Sequence, residues 1–300
     1  MRADKTVLRG GAINSEWPFH KEDSMFVRAA LTLALFAAGP ALAGAPKLER
    51  TWLTQGFANP EGVAAAPDGA LFISNVNGEG GARDGNGFIS RVSKSGEILD
   101  LKFIEGLDAP KGMAVHDGLL YVADIDIVRI FDAATGAALD GAPIEGAQFL
   151  NDVTVWQDDV FVSDSGTGRV WRFTGTSIDL WREGAELQGV NGLTGAGEKM
   201  FISTMTSGSL FEATAAGGWR KIASGMENAD GVGVIDGKRG GFLVSAWPGK
   251  IHHVSRKGAV TTIIDTMDAK IFQNDLTMID GIVIVPNWEP GTVTAWRVRK

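Results

Sequence analysis

NDVTVWQDDVFVSDSGTGRVWRF, residues 151–173, reads as three short strands in succession. An Asn-Asp pair opens an apolar alternation in VTV, a polar turn leads into VFVSD, and a glycine-bearing turn leads into GRVWRF. The same order recurs along the chain. First strands open as EGVAA, KGMAV, NDVTV, NGLTG, DGVGV and NDLTM, at Glu61, Lys111, Asn151, Asn191, Asp230 and Asn274. The intervals are 50, 40, 40, 39 and 44 residues. Second strands read LFISN, LYVAD, VFVSD, MFIST, FLVSA and VIVPN, and third strands read FISRV, VRIFD, GRVWRF, GSLFEA, GKIHHV and GTVTAW.

A repeat near 40 residues in an all-β pattern is the period of a four-stranded propeller blade. Turn signals such as PDG at 67–69 and HDG at 116–118 separate the first two strands. SKSGE, DAATG, TGTS, TAAGG and SRKG separate the third from a fourth. The chain ends just after the third strand of the sixth repeat, and LERTWLTQG at 48–56 precedes the first. The sequence therefore predicts an all-β, six-bladed β-propeller of four-stranded antiparallel blades. Its ring is closed by the N-terminal strand pairing with the C-terminal blade, which protects the sheet edges at the seam. Negligible helix is expected. The 40 glycines fit an architecture of tight turns.

Residues 25–43, MFVRAALTLALFAAGPALA, have a basic Arg28, an apolar core and an Ala41-Leu42-Ala43 cleavage signature, the pattern of a secretory signal peptide. Residues 1–24 are polar and aperiodic and read as a non-native upstream extension. Residues 44–300 are expected to form one propeller domain, periplasmic or secreted, with no membrane span once the leader is cleaved. The whole chain carries a net charge of −8 and no cysteine. Disulfides and thiolate chemistry are excluded, and the acidic balance argues against nucleic acid as a partner.

Strand direction alternates within a blade, so the six opening residues encircle one mouth of the central channel. Two carboxylates and three amides there offer oxygen donors, suited to Ca²⁺ or, less well, Mg²⁺ or Mn²⁺. The four histidines are placed elsewhere, at 20, 116, 252 and 253, which argues against zinc and against a histidine-based triad. The competing reading is structural, since Asn, Asp and Gly suit tight turns. Lys111 opposes a cation. Its stem could carry the charge toward Asp152 or solvent, or the ammonium could itself fill the ring.

The repeats and this ring resemble the senescence marker protein, gluconolactonase and related six-bladed propellers, over about residues 48–300. The resemblance rests on Glu61 in PEGV, Asn191 in VNGL and Asp230 in ADGV, and implies that these three bind a divalent metal. Asn151 in LNDV matches a family Asn that contacts water or substrate. The family's lactonases commonly carry an Arg two residues before that motif to hold a sugar, and here the residue is Phe149. Repeats such as APKGMAVHDGLLYVADIDIVRIFDAATG are also similar to NHL-type propellers, many of which bind partners without catalysis.

The expected function is a metal-dependent hydrolase of lactones or related esters. Asp230 acts as general base, Glu61, Asn191 and Asp230 hold the metal, and Asn151 and Lys111 face a lactone, ester or sugar-like substrate. Second-strand ends on the same face carry Asn75, Asp124, Asp164 and Thr204, followed by Trp247 and Trp288, which are expected to stack on substrate or pack between blades. The loop VNGEGGARDGNG at 76–87 reads as a surface loop of little intrinsic order, with a lid or a second calcium site at Asp84 and Asn86 as the functional alternatives. The rival function is a non-enzymatic ligand- or protein-binding propeller. A third is a metal-independent synthase or lyase using Glu61.

Overall fold

The computed structural model describes residues 45–299 apart from 176, 238 and 239. The expected leader and the extension before it lie outside the described residues. Twenty-five strands form six antiparallel sheets. Blade 1 comprises β2 (Pro60–Ala65), β3 (Leu71–Asn75), β4 (Gly87–Val92) and β5 (Ile98–Leu107). Blade 2 comprises β6 (Pro110–His116), β7 (Leu119–Asp124), β8 (Ile127–Asp132) and β9 (Ala142–Pro143). Blade 3 comprises β10 (Leu150–Trp156), β11 (Asp159–Asp164), β12 (Arg169–Phe173) and β13 (Ile178–Glu183). Blade 4 comprises β14 (Val190–Ala196), β15 (Lys199–Thr204), β16 (Ser209–Thr214) and β17 (Trp219–Ala223). Blade 5 comprises β18 (Ala229–Ile235), β19 (Gly241–Ala246), β20 (Lys250–Ser255) and β21 (Val260–Asp265).

Blade 6 closes the ring as expected. β1 (Lys47–Gln55) pairs antiparallel with β25 (Thr292–Arg299), from Lys47 opposite Arg299 to Gln55 opposite Thr292. β24 (Ile282–Glu289) follows inward, and the innermost strand is split into β22 (Phe272–Gln273) and β23 (Thr277–Ile279). The break falls on Asn274, Asp275 and Leu276. Among the described residues the only helix is a single 3-10 turn, Ala185–Leu187, and none is long and apolar enough to cross a membrane. One blade departs from the expected four-stranded form. β9 is a two-residue stub, because Gly141 and Pro143 offer the edge little ladder and no second N–H.

The core is distributed between blades. β3 and β19 are buried along their whole length, because each blade is covered on both faces by its neighbours, whereas of the outer strands β5 is largely exposed and β21 half-buried. Phe72 and Ile89 of blade 1 pack with Leu120 and Val122 of blade 2, and Trp156 and Phe161 of blade 3 pack with Leu193 and Ile202 of blade 4.

At the channel the inner strands share one irregularity. Pairing with the second strand jumps from Pro60 to Val63, Pro110 to Met113, Leu150 to Val153, Val190 to Leu193 and Ala229 to Val232. The two skipped residues of each bulge are the two signal residues of the repeat. The N–H of the second donates to a serine of the neighbouring strand: Gly62 to Ser74 Oγ (2.7 Å), Asp152 to Ser163 Oγ (2.9 Å), Gly192 to Ser203 Oγ (2.8 Å) and Gly231 to Ser245 Oγ (2.8 Å). Ser163 Oγ in turn donates to Asn191 O of the next blade at 2.7 Å, and Ser203 Oγ donates to Asp230 O.

The glycines answer to close approach between blades rather than to a turn. A Cβ on Gly62 would lie 2.6 Å from Lys111 O, and one on Gly192 would lie 2.5 Å from Asp230 O. Gly192→Ala should therefore cost about 2–3 kcal/mol, the range for overpacking, and lower the thermal midpoint by roughly 5–10 °C for a domain of this size. Differential scanning calorimetry checks this; an unchanged midpoint would show that the inner strands are free to move apart.

Candidate functional site at the channel mouth

The five bulges, and the break between β22 and β23 in blade 6, place the six opening residues at the inner end of their blades, all of them buried. Glu61, Lys111, Asn191 and Asp230 are 5 % exposed or less, and Asn151 and Asn274 are also buried. Two further carboxylates join them. Asp152 and Asp275 stand where four other repeats have glycine, and each side chain fills the space left by the missing Cβ of Gly112 and Gly231 in the preceding blade. Asp152 Oδ2 accepts Leu193 N–H at 2.6 Å and its Oδ1 accepts Val153 N–H at 2.7 Å, while Asp275 Oδ1 accepts Leu276 N–H at 2.6 Å. Sequence reading took these two as halves of a turn signal. The clue was the Asp in place of Gly at the second position of blades 3 and 6.

Four buried carboxylates and one ammonium therefore meet around the axis, and burial dominates their titration. It pushes Asp230 up to about 7, with the charge of Asp152 adding to the shift. Burial likewise raises Asp152 to about 7, against the two backbone N–H groups that favour its charged form. Glu61 is held well above the usual carboxylate range by burial and then by Asp230, and Lys111 offsets only part of this. Asp275 is raised well above its usual range by burial and by Asp152, Asp230 and Glu61. These influences run between blades 1, 3, 5 and 6, across the channel.

Glu61 Oε2 and Asp230 Oδ1 are buried without a hydrogen-bond partner. An unpaired buried carboxylate oxygen carries its full desolvation cost, so this pair calls for protons, water or a cation. Among the described residues no three His, Cys, Asp or Glu side chains are grouped to hold a metal by themselves. A cation here would draw on Glu61, Asp230 and the Asn191 amide, an all-oxygen set that fits a hard ion and leaves positions for water.

Lys111 takes neither of its expected routes. Its Nζ donates to Gly80 O at 2.7 Å and Ala109 O at 3.0 Å, and lies 4.3 Å from the centre of the Phe149 ring. Burial lowers its pKa to about 8, with Glu61 and then Asp124 opposing. The ammonium is thus fixed between backbone carbonyls and an aromatic face, not toward Asp152 or solvent.

The loop at 76–87, expected to have little order of its own, is tied down from other blades. Arg83 pairs with Asp126 at 2.7 Å, Gly85 N–H donates to Asp108 Oδ1 at 3.1 Å, and the backbone at Gly80 and Gly81 lies against Phe149. Asp84 and Asn86 bind each other, with Asn86 Nδ2 donating to Asp84 Oδ2 at 2.8 Å. Trp247 and Trp288 meet edge to face at 6.1 Å, and Trp288 also packs against Val76, Ala109 and Ile125. They form an apolar wall beside the mouth. Asn75, Asp124 and Asp164 are engaged with backbone: Asp124 accepts Ala109 N–H at 2.7 Å and Asp164 accepts Phe149 N–H at 2.9 Å.

With this geometry in view, the solved structures that the chain resembles are informative about fold. A gluconolactonase from Xanthomonas campestris shares 17 % identity at a TM-score of 0.62, over 88 % of this chain and 99 % of that one. A putative gluconolactonase shares 16 % identity at 0.61, over 86 % and 93 %. A catalytically inactive virginiamycin B lyase from Staphylococcus aureus, solved with quinupristin, shares 13 % at 0.60, over 84 % and 99 %. The likeness is one of fold. No family model matches the chain, and no curated protein does.

The raised carboxylates set the sign of a pH effect. Between the ordinary carboxylate pKa and about 7 the folded protein holds protons that the unfolded chain has released, so stability present at low pH is lost as pH rises through 7. The thermal midpoint of the metal-free protein should fall between about pH 5 and about pH 8, and Asp230→Asn should flatten the fall. Melting curves across that range check it; a midpoint that climbs would mean the carboxylates are charged when buried.

Proposed function

We propose that the chain is an exported, metal-dependent hydrolase of lactones or related esters, working at the channel mouth. The observation that carries this reading is the pair of buried, unpartnered oxygens, Glu61 Oε2 and Asp230 Oδ1, with the buried Asn191 amide on blade 4. Glu61, Asn191 and Asp230 would hold the divalent ion, Ca²⁺ by preference and Mg²⁺ or Mn²⁺ as substitutes. When bound, it supplies Lewis-acid polarisation of a carbonyl and stabilisation of developing negative charge.

The chain's own groups supply the rest. Asp230 takes a proton from water at a carboxylate oxygen. Asn151 orients water or substrate from blade 3. Lys111 faces the developing charge with an ammonium already held by Gly80 O and Ala109 O. Trp247 and Trp288 offer an apolar wall for the body of the substrate. With Phe149 under the Lys111 ammonium, the cation that resemblance places at position 149 comes instead from the neighbouring blade. Two structures of the same fold, a gluconolactonase and a putative gluconolactonase, support the lactone class. The leader at 25–43 supports export to the periplasm or beyond.

A second reading, a non-enzymatic ligand- or protein-binding propeller, is favoured by one observation: the Lys111 bonds and the loop at 76–87 leave the mouth partly covered. A panel of aliphatic, aromatic and sugar lactones and esters, assayed with Ca²⁺ or Mn²⁺, separates the two. Turnover that drops at least 100-fold in Asp230→Ala, with the fold retained by circular dichroism, is expected. Full activity in Asp230→Ala would overturn the mechanism, and no turnover across the panel would favour the binding propeller.

A further inference from the structure

A second built cavity lies far from the ring. It is about 350 Å³, between blades 3 and 4, and its walls include the turn after β10 and the turn after β16. Those turns sit at the end of the blades opposite the channel mouth. A volume of this size is at the lower end for small-molecule sites.

Its walls combine aromatic surface with cations. Trp156 and Trp181 meet edge to face at 6.0 Å, and Phe161 meets Trp181 the same way at 5.3 Å. Arg172 is neutralised by Asp159, to which its Nε donates at 2.8 Å. Arg182 is different. Its guanidinium lies 4.1 Å over the Trp219 ring, its Nε is buried with no hydrogen-bond partner, and among the described residues no carboxylate pairs with it.

Stacking orients a guanidinium and leaves its edge, a fork of N–H donors, available to a planar anion. The half-buried guanidinium is paired only with the Trp219 face, and its Nε–H has given up water without gaining a partner, a cost that a ligand at this edge would offset. We propose that the cleft between blades 3 and 4 is a second ligand site, taking a small aromatic carboxylate whose carboxylate pairs with Arg182 and whose ring rests against Trp181, itself backed by the buried Trp156 and Phe161. The site is independent of the channel and of any reaction there.

The test is calorimetric titration with 1-naphthoate and with its uncharged counterpart, 1-naphthamide. Saturable binding of naphthoate in the sub-millimolar range, at least tenfold tighter than naphthamide, is expected. Arg182→Gln should weaken naphthoate tenfold or more, Arg182→Lys should recover only part of the loss, and Asp230→Ala should leave binding unchanged. The comparison of the two probes on the unaltered protein stands even if a variant misfolds. Absence of saturation, equal affinity for both probes, unchanged binding in Arg182→Gln, or loss of binding in Asp230→Ala would each overturn the proposal.

Discussion

The close approach of the inner strands around the channel is the constraint on which the rest depends. In the four blades that carry glycine at the second signal position, a Cβ there would meet the next blade, as the 2.5 Å between a Cβ on Gly192 and Asp230 O shows. Glycine permits that contact, and the serine hydroxyls at 74, 163, 203 and 245 satisfy the second-position N–H groups that four of the five bulges take out of their ladders. Because the bulge consumes two residues, the first signal residue of each blade is committed to the channel. Function and closure thus use the same local device.

That device has an electrostatic cost. Glu61, Asp152, Asp230 and Asp275 are enclosed together, and burial lifts all four above the usual carboxylate range. Two of them are compensated by backbone N–H groups across or along blades. Glu61 and Asp230 each keep a buried oxygen without a partner, and the Lys111 ammonium donates instead to Gly80 O and Ala109 O over the Phe149 ring. A site left so incompletely compensated is the kind of local conflict that folding alone does not favour, and it is characteristic of sites that bind something.

Much of this was legible in the sequence because it is periodic. The blade count, the strand assignments and all six ring positions follow from one pattern repeated about every 40 residues, and the outer strand missing from the sixth repeat pointed to residues 48–56, where β1 (Lys47–Gln55) lies. What was not legible is aperiodic or depends on contacts between blades. Asp152 and Asp275 look like turn residues until the empty space beside Gly112 and Gly231 is seen. The path of Lys111 depends on the loop at 76–87, whose anchors Asp108 and Asp126 lie in or beside blade 2, so a glycine-rich stretch that looks unordered by composition is held in place. The stub β9 is similar: the DAATG turn suggested a following strand, and Gly141 and Pro143 curtail it.

The central claim is that the ring is a cation site assembled from Glu61, Asn191 and Asp230. Calorimetric titration of Ca²⁺ at pH 7, repeated in two buffers of different ionisation heat, tests it most directly, because Asp230, raised to about 7, and Glu61, held well above the usual carboxylate range, must release protons when they take up a cation. The account predicts one saturable event per chain accompanied by proton release, and its loss in Asp230→Asn. Absence of binding, or binding that survives in Asp230→Asn, would contradict it.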